Sequence, residues 1–193
     1  MWRTKMIQSD VQLNAKGLAC PMPIVKTKKA MNAMEAGHVL EIQATDKGST
    51  ADMKAWSEST GHQYLGTVEE GTVLKHYLRK SSGDEQIEKK HANVISNDEL
   101  LSKMENQKSV VVDVRESAEF AFNHIPNAVS MPLGELEERL SELDKNADIH
   151  VICRTGSRSD LAAQKLSSAG FKQVINVVPG MSQWNGPTEK STN

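Results

Sequence analysis

The sequence has 193 residues, of which 38% are hydrophobic and 25% are charged. This length suits one ordinary domain or two small ones, and the composition is typical of folded globular proteins and excludes global disorder. The formal net charge is only -2, so we expect no direct nucleic-acid partner. Because no stretch resembles a secretory signal or a membrane span, we expect a cytoplasmic protein without a membrane partner.

The first half predicts six elements in the order βαβαββ. Proline suits the first helical turn and glycine commonly follows a helix, so these residues mark the predicted helix ends. The elements are a strand near residues 11–13, a helix from Pro21 to Gly37, a strand at 39–44, a helix at 49–61, and a hairpin of 64–68 and 72–78. This order predicts a two-layer α/β sandwich with its helices on one face of the sheet. We assign residues 6–80 to this domain.

A polar segment with one aliphatic residue follows at residues 81–91, and it predicts a linker. The second domain, at residues 92–188, begins with a capping box of Ser96 and Glu99. Short apolar runs predict buried strands, and they alternate with helical patterns. The strands are expected at 110–114, 149–152 and 174–178, and the helices at 133–143 and 157–169. This alternation predicts an α/β domain with a parallel sheet, which makes the whole chain α/β.

The chemistry of the second domain is expected at Cys153. A buried strand ends at this cysteine, a short loop turns, and a helix begins, so backbone N–H groups and the helix N-terminus should point at the sulfur. Such a setting stabilises a thiolate or persulfide anion. The predicted anion-binding loop consists of Arg154, Thr155, Gly156, Ser157 and Arg158.

The sequence here resembles the rhodanese family. The Cys-Arg-Thr-Gly-Ser-Arg loop at residues 153–158 is similar to that family's active-site loop, and similar flanking motifs lie at residues 112–116, 124–128 and 180–184. The resemblance implies a thiosulfate or persulfide sulfurtransferase in which Cys153 takes up sulfane sulfur and passes it to a nucleophile. Asp113 and Arg115 of the first flanking motif, together with Glu119, would support the loop as a structural ion-pair set. No metal and no cofactor beyond covalent cysteine persulfides is implied.

A second reactive thiol is expected at Cys20, beside the start of the first predicted helix. Pro21 and Pro23 fix the backbone there, and the helix dipole should favour a negative sulfur by about 0.3–1 kcal/mol. From the residues alone, a helix start with an incidental cysteine is nearly as reasonable. Residues 11–80 resemble the TusA/SirA sulfur-carrier family, whose Cys-Pro-x-Pro signature matches Cys20 to Pro23. This resemblance implies that Cys20 carries a persulfide to a partner protein.

Cys20 and Cys153 are the only cysteines, too few for a disulfide framework or a structural zinc site. Our leading hypothesis moves sulfur between them, from small donors to thiol or protein acceptors, with direction, pathway and oligomeric state left open. One alternative makes the first domain a non-catalytic interaction module. Another is a phosphatase or arsenate reductase, because a cysteine loop ending in arginine also suits oxyanions. However, only four residues separate Cys153 from Arg158, and this short loop favours sulfur.

Overall fold

The computed structural model describes residues 6–83, 88–105 and 109–192. The chain forms two compact units, Met1–Ser82 with Thr192–Asn193, and Gly83–Ser191. Residues 84–87 of the predicted linker and residues 106–108 of the predicted second domain lie outside the described part. Within the described part, no helix is both long and apolar enough to cross a membrane.

The first unit confirms the order βαβαββ. Its elements are β1 (Val11–Asn14), α1 (Met22–Ala33), β2 (Val39–Ala44), α2 (Ser49–Thr60), β3 (Gln63–Glu70) and β4 (Val73–Arg79). The sheet order is β1-β2-β4-β3, in which β1 and β2 are parallel and the other pairs are antiparallel. A core of Met31, Leu40, Ile42, Met53 and Leu78 joins side chains of both helices to the sheet. Helix α1 starts one residue later than expected, because Pro21 is its N-cap, and ends before Gly37.

The second unit contains the predicted parallel sheet. Its elements are β5 (Val94–Ile95), α3 (Asn97–Met104), β6 (Ser109–Asp113), α4 (Ser117–Phe122), β7 (Val129–Ser130), β8 (Asp148–Ile152), α5 (Ser157–Ser168) and β9 (Gln173–Val177). The strand order is β5-β9-β8-β6-β7, and every pairing is parallel. Val112 and Val151 pack in one buried cluster, whereas Val111 and Ile152 pack in another. Because successive side chains alternate between the faces, the uninterrupted apolar runs reflect burial on both sides.

The predicted helix at residues 133–143 is wrong. This segment consists of turns and one short 3-10 helix, Leu140–Glu142. Its backbone N–H groups bond to carbonyls three residues back, as Glu142 does to Arg139, so the chain winds more tightly than an α-helix. The Arg139 guanidinium also binds Glu135 and Glu142.

The capping box expected at the start of α3 is present. The Ser96 hydroxyl accepts from the Glu99 N–H, and the Glu99 carboxylate accepts from the Ser96 N–H.

Candidate functional site

Cys153 lies in the turn between β8 and α5, at the carboxyl edge of the parallel sheet. Its side chain is only 1% exposed. The N–H of Gly156 donates a hydrogen bond to the Cys153 sulfur at 3.1 Å. Gly156 has a φ of +94°, and a Cβ atom there would lie 2.9 Å from the Val178 side chain. The loop therefore requires glycine at this position, and it presents a backbone donor to the sulfur.

Two residues absent from the sequence prediction, Ser159 and Asn176, also support Cys153. The Ser159 hydroxyl lies 3.3 Å from the Cys153 sulfur and 2.6 Å from the Asn176 side-chain oxygen. The Asn176 side-chain amide donates to the Gly156 carbonyl at 3.1 Å. Ser159 has one hydroxyl proton for two acceptors, so the sulfur and the amide oxygen compete for it. The sequence signal that could have identified this pair is an asparagine within an otherwise apolar predicted strand, because a polar side chain buried there needs a hydrogen-bond partner.

Arg158 is paired with a buried carboxylate. Its two terminal nitrogens lie 2.6 and 3.0 Å from the two oxygens of Glu119, and both side chains are at least 95% buried. Burial opposes the charged form, but Glu119 and then Cys153 raise the pKa of Arg158 above its usual range. Arg158 belongs to the predicted anion-binding loop, and in the structure its charge is paired with that of Glu119.

Asp113 and Arg115 form the other predicted support. The Arg115 side chain donates to both Asp113 carboxylate oxygens, at 2.6 to 3.1 Å, and also to the Asn123 carbonyl at 2.6 Å. The intervening Val114 N–H donates to the Ile152 carbonyl, directly before the catalytic cysteine candidate. This ion pair therefore fixes the end of β6 beside the end of β8. Glu119, expected in the same set, pairs with Arg158 instead and also accepts a hydrogen bond from the Glu116 N–H at 2.9 Å.

The turn after β9 closes against the backbone of Cys153. The N–H of Met181 donates to the Cys153 carbonyl at 2.8 Å, and the Asn97 side chain bonds both the N–H and the carbonyl of Gly180. Gly180 has a φ of +86°, and a Cβ atom at this position would collide with the Cys153 carbonyl oxygen. Glycine at 180 is therefore part of the loop support.

The remaining loop residues, Arg154 and Thr155, are partly exposed, whereas Ser157 is buried. The Ser157 hydroxyl has no hydrogen-bond partner in the described structure. Both cysteines are free thiols. No group of three or more metal-ligating side chains occurs within the described ranges.

Cys20 is exposed in the turn that precedes α1. Partial desolvation raises the pKa of its thiol, and the Asp52 and Asp46 carboxylates raise it further. This shift is opposite in direction to the stabilisation of a negative sulfur expected at the helix start. The sequence suggested only the helix N-terminus, whereas the fold adds two carboxylates from the start of the second helix and the loop before it.

The first turn of α1 also offers Cys20 fewer backbone donors than an ordinary helix start. Pro21 and Pro23 carry no N–H, and the Met22 N–H bonds to the Ala19 carbonyl. The prolines thus fix the position of Cys20 while removing groups that would stabilise an anion there. Pro23 is buried and its carbonyl accepts from the Thr27 hydroxyl, which anchors the turn to the core.

Comparison with known proteins defines the class of each unit. Residues 11–80 match the family model "Sulfurtransferase TusA", and residues 96–187 match the "Rhodanese-like domain" model. The chain is 51% identical over 185 residues to "Putative sulfur carrier protein YrkF" of Bacillus subtilis (strain 168), covering 95% of this chain and 100% of that protein. The chain therefore belongs to the family in which a TusA domain is followed by a rhodanese-like domain. It joins a sulfur-carrier domain to a sulfurtransferase domain.

Two relatives of the single domains and one solved structure also match parts of this chain. "Sulfur carrier protein TusA" of Allochromatium vinosum is 42% identical over 76 residues, which is 39% of this chain and 100% of the relative. "Putative sulfurtransferase YtwF" of Bacillus subtilis is 40% identical over 96 residues, which is 49% of this chain and 92% of the relative. A crystal structure of a rhodanese-like domain protein from Staphylococcus aureus is 32% identical, with a TM-score of 0.48, over 51% of this chain and 97% of that one.

Proposed function

We propose that the protein is a thiosulfate or persulfide sulfurtransferase whose first sulfur acceptor is Cys153. The Cys153 thiolate attacks the outer sulfur of thiosulfate, a new S–S bond forms, and the original S–S bond breaks. Sulfite leaves with the bonding electron pair, so the cysteine becomes a persulfide without any external oxidant or reductant. A low-molecular-weight persulfide would react in the same way and release its thiolate.

The observation that carries this proposal is the setting of the Cys153 sulfur. A buried thiol at a strand-to-helix turn accepts a hydrogen bond from the Gly156 N–H and lies within hydrogen-bond distance of the Ser159 hydroxyl. Donors fixed before the reaction stabilise negative sulfur without reorganisation at the moment of transfer. Arg154 and Thr155 would complete the binding of the donor at the partly exposed side of the loop.

In the second step we propose that Cys20 takes the sulfur onward. The Cys20 thiolate attacks the outer sulfur of the Cys153 persulfide, and Cys153 leaves as a thiolate, so atoms and charge balance. Exposure suits Cys20 for contact with an acceptor thiol or acceptor protein, whereas Cys153 is almost entirely enclosed. The sulfur would be carried on these two cysteines, with no separate cofactor.

One rival function has a specific observation in its favour. The raised pKa of Cys20 lowers its thiolate population at neutral pH, as would suit a first unit that only recruits a partner.

The third candidate function, an oxyanion-cleaving enzyme, is disfavoured. Arg158 is already bidentate on Glu119 and is therefore less available to a phosphate or arsenate.

Two assays with one pair of variants separate sulfur transfer at Cys153 from cleavage of an oxyanion. The reduced protein should transfer sulfur from thiosulfate to cyanide, and Cys153→Ala should abolish this activity while Cys20→Ala retains it. An aryl phosphate and arsenate serve as the competing substrates. Turnover of either oxyanion without any thiocyanate production would overturn the proposal.

A further inference from the structure

Lys89 lies against the loop that holds Cys153, although it precedes the rhodanese-like match by several residues. The Lys89 ammonium nitrogen is 3.3 Å from the position of a Cβ atom on Gly156. The N–H of that glycine donates to the Cys153 sulfur at 3.1 Å. With standard backbone dimensions, the ammonium is within about 9 Å of the sulfur. This separation is close to the screening length of about 10 Å at 0.1 M salt.

The backbone next to Lys89 is fixed to the same unit. The N–H groups of Lys90 and His91 donate to the two carboxylate oxygens of Asp160, each at 2.9 Å. The His91 ring nitrogen is also 2.8 Å from the Val174 carbonyl. Asp160 is only 2% exposed and lies in the first turn of α5, the helix that begins at the catalytic loop. Lys89 is therefore one residue from a segment anchored beside the loop.

Within the loop, the charge of Arg158 is paired with that of Glu119, so the positive charge at the donor site would come from Arg154 and from cations outside the loop. A small donor such as thiosulfate carries two negative charges, and its sulfonate must approach a sulfur that itself becomes negative. An additional cation near the entrance would offset this repulsion and raise the local concentration of the anion.

We propose that Lys89 is a specificity residue that favours anionic sulfur donors at Cys153. Its ammonium attracts the sulfonate oxygens of thiosulfate, or the negative group of another small donor, while the outer sulfur faces Cys153. The segment that joins the two family domains would thus contribute to the donor site of the second unit. The donor class rests on the proposed function, whereas the electrostatic effect of Lys89 on Cys153 does not.

The electrostatic effect is measured with two alkylating agents of similar size, anionic iodoacetate and neutral iodoacetamide. Peptide mass spectrometry follows their reaction with Cys153 in the full-length chain. We expect Lys89→Met to lower the ratio of the iodoacetate rate to the iodoacetamide rate by roughly two- to fivefold. Lys89→Arg should restore the ratio. Lys172→Met is the charge-matched control, because Lys172 precedes β9 at the opposite edge of the sheet.

An unchanged ratio in Lys89→Met, or an equal change in Lys172→Met, would overturn the inference. The donor class is tested with thiosulfate: Lys89→Met should raise KM with little change in kcat, and the dependence of KM on salt should become weaker. If neither the wild-type protein nor any variant transfers sulfur, the proposed function fails. The alkylation ratio still decides whether Lys89 exerts an electrostatic effect on Cys153. If sulfur transfer is intact and KM is unchanged, the donor specificity is wrong.

Discussion

Cys153 and Cys20 both lie at turns that lead into helices, but the groups around the two sulfur atoms differ in burial and in charge. The first thiol is 1% exposed, and donors from Gly156 and Ser159 face it. The Cys20 thiol is exposed, and partial desolvation followed by the Asp52 and Asp46 carboxylates raises its pKa. A helix N-terminus alone therefore does not decide the chemistry of a cysteine, because the side chains that the fold adds around the turn determine which form of sulfur is stabilised.

This contrast fits a division of labour between acceptance and delivery. An enclosed sulfur with fixed donors suits the step in which a small molecule is bound and its S–S bond is broken. Exposure suits Cys20 for brief contact with another thiol, whereas its raised pKa would slow both its attack on a persulfide and its departure as a leaving group.

The largest effect is expected at Gly180, which supports the Cys153 loop from behind. Gly180→Ala would place a Cβ atom against the Cys153 carbonyl at a positive φ. We expect the free energy of unfolding of the second unit to fall by about 2–4 kcal/mol, as measured by urea denaturation. Gly134→Ala is the control, because a Cβ atom there meets nothing within 4 Å. Equal costs for the two substitutions would show that the contact with Cys153 is not tight.

Buried histidines provide a second comparison of the two units. Both ring nitrogens of His76 have hydroxyl partners, Ser49 and Thr67, whereas neither nitrogen of buried His150 has one in the described structure. We expect His76→Leu to cost about 1–3 kcal/mol of unfolding free energy, because its partners lose hydrogen bonds. His150→Leu should be neutral or stabilising. Thermal and urea denaturation measure the unfolding free energy of both variants. A large loss of unfolding free energy in His150→Leu would show that the His150 ring does have a stabilising partner.

His76 also predicts a dependence of the stability of the first unit on pH. Burial lowers the pKa of His76 to about 4 from an ordinary value of 6.5. Between these values the unfolded chain binds the proton and the folded chain does not, so the stability of the first unit should fall as the pH falls from 6.5 towards 4. His76→Leu should flatten this part of the profile. A profile that is identical in the variant would remove His76 as the cause.

Ser159 should control the reactivity of Cys153. Ser159→Ala removes a hydroxyl that can donate to the thiolate, so we expect iodoacetamide to react with Cys153 about three- to tenfold more slowly at pH 7. Ser157→Ala is the neighbouring control, because the Ser157 hydroxyl lacks a partner in the described structure. If both variants react as slowly as each other, general distortion of the helix start explains the loss better than the hydrogen bond does.

The smallest effect is expected at Cys20. Asp52→Asn removes a carboxylate that raises the pKa of the Cys20 thiol, so the pKa should fall and alkylation of Cys20 at neutral pH should become faster by a small factor. Glu58→Gln, on an exposed position of the same helix, is the charge-matched control. A rate that is unchanged by Asp52→Asn, or changed equally by the control, would contradict the proposed influence of Asp52.

The sequence predicted the elements whose local pattern is strong. The strands predicted at 39–44, 149–152 and 174–178 correspond to β2, β8 and β9, because the burial of a strand is visible in its neighbouring apolar residues. The segment at 133–143 has an apolar pattern that also suits successive turns, and that ambiguity produced the wrong helix. Two-residue strands such as Val94–Ile95 are too short for any periodicity to reveal.

The parts of the candidate site that sequence reasoning missed depend on long-range pairing. Glu119 and Arg158 are 39 positions apart, and Ser159 and Asn176 are 17 apart. Local patterns do not show which charge faces which, so the pairing of Arg158 with Glu119 was not predicted. In the same way, nothing near Cys20 in the sequence indicates that Asp52 of the next helix raises its pKa.

The central claim is that sulfur enters at Cys153 and passes to Cys20. The most direct measurement supplies thiosulfate to the reduced wild-type chain and to the Cys153→Ala and Cys20→Ala variants, then locates added sulfur by peptide mass spectrometry under non-reducing conditions. We predict sulfur on both cysteines of the wild type, on Cys153 in Cys20→Ala, and on neither site in Cys153→Ala. Sulfur on Cys20 in the absence of Cys153, or on Cys153 alone in the wild type, would contradict this account.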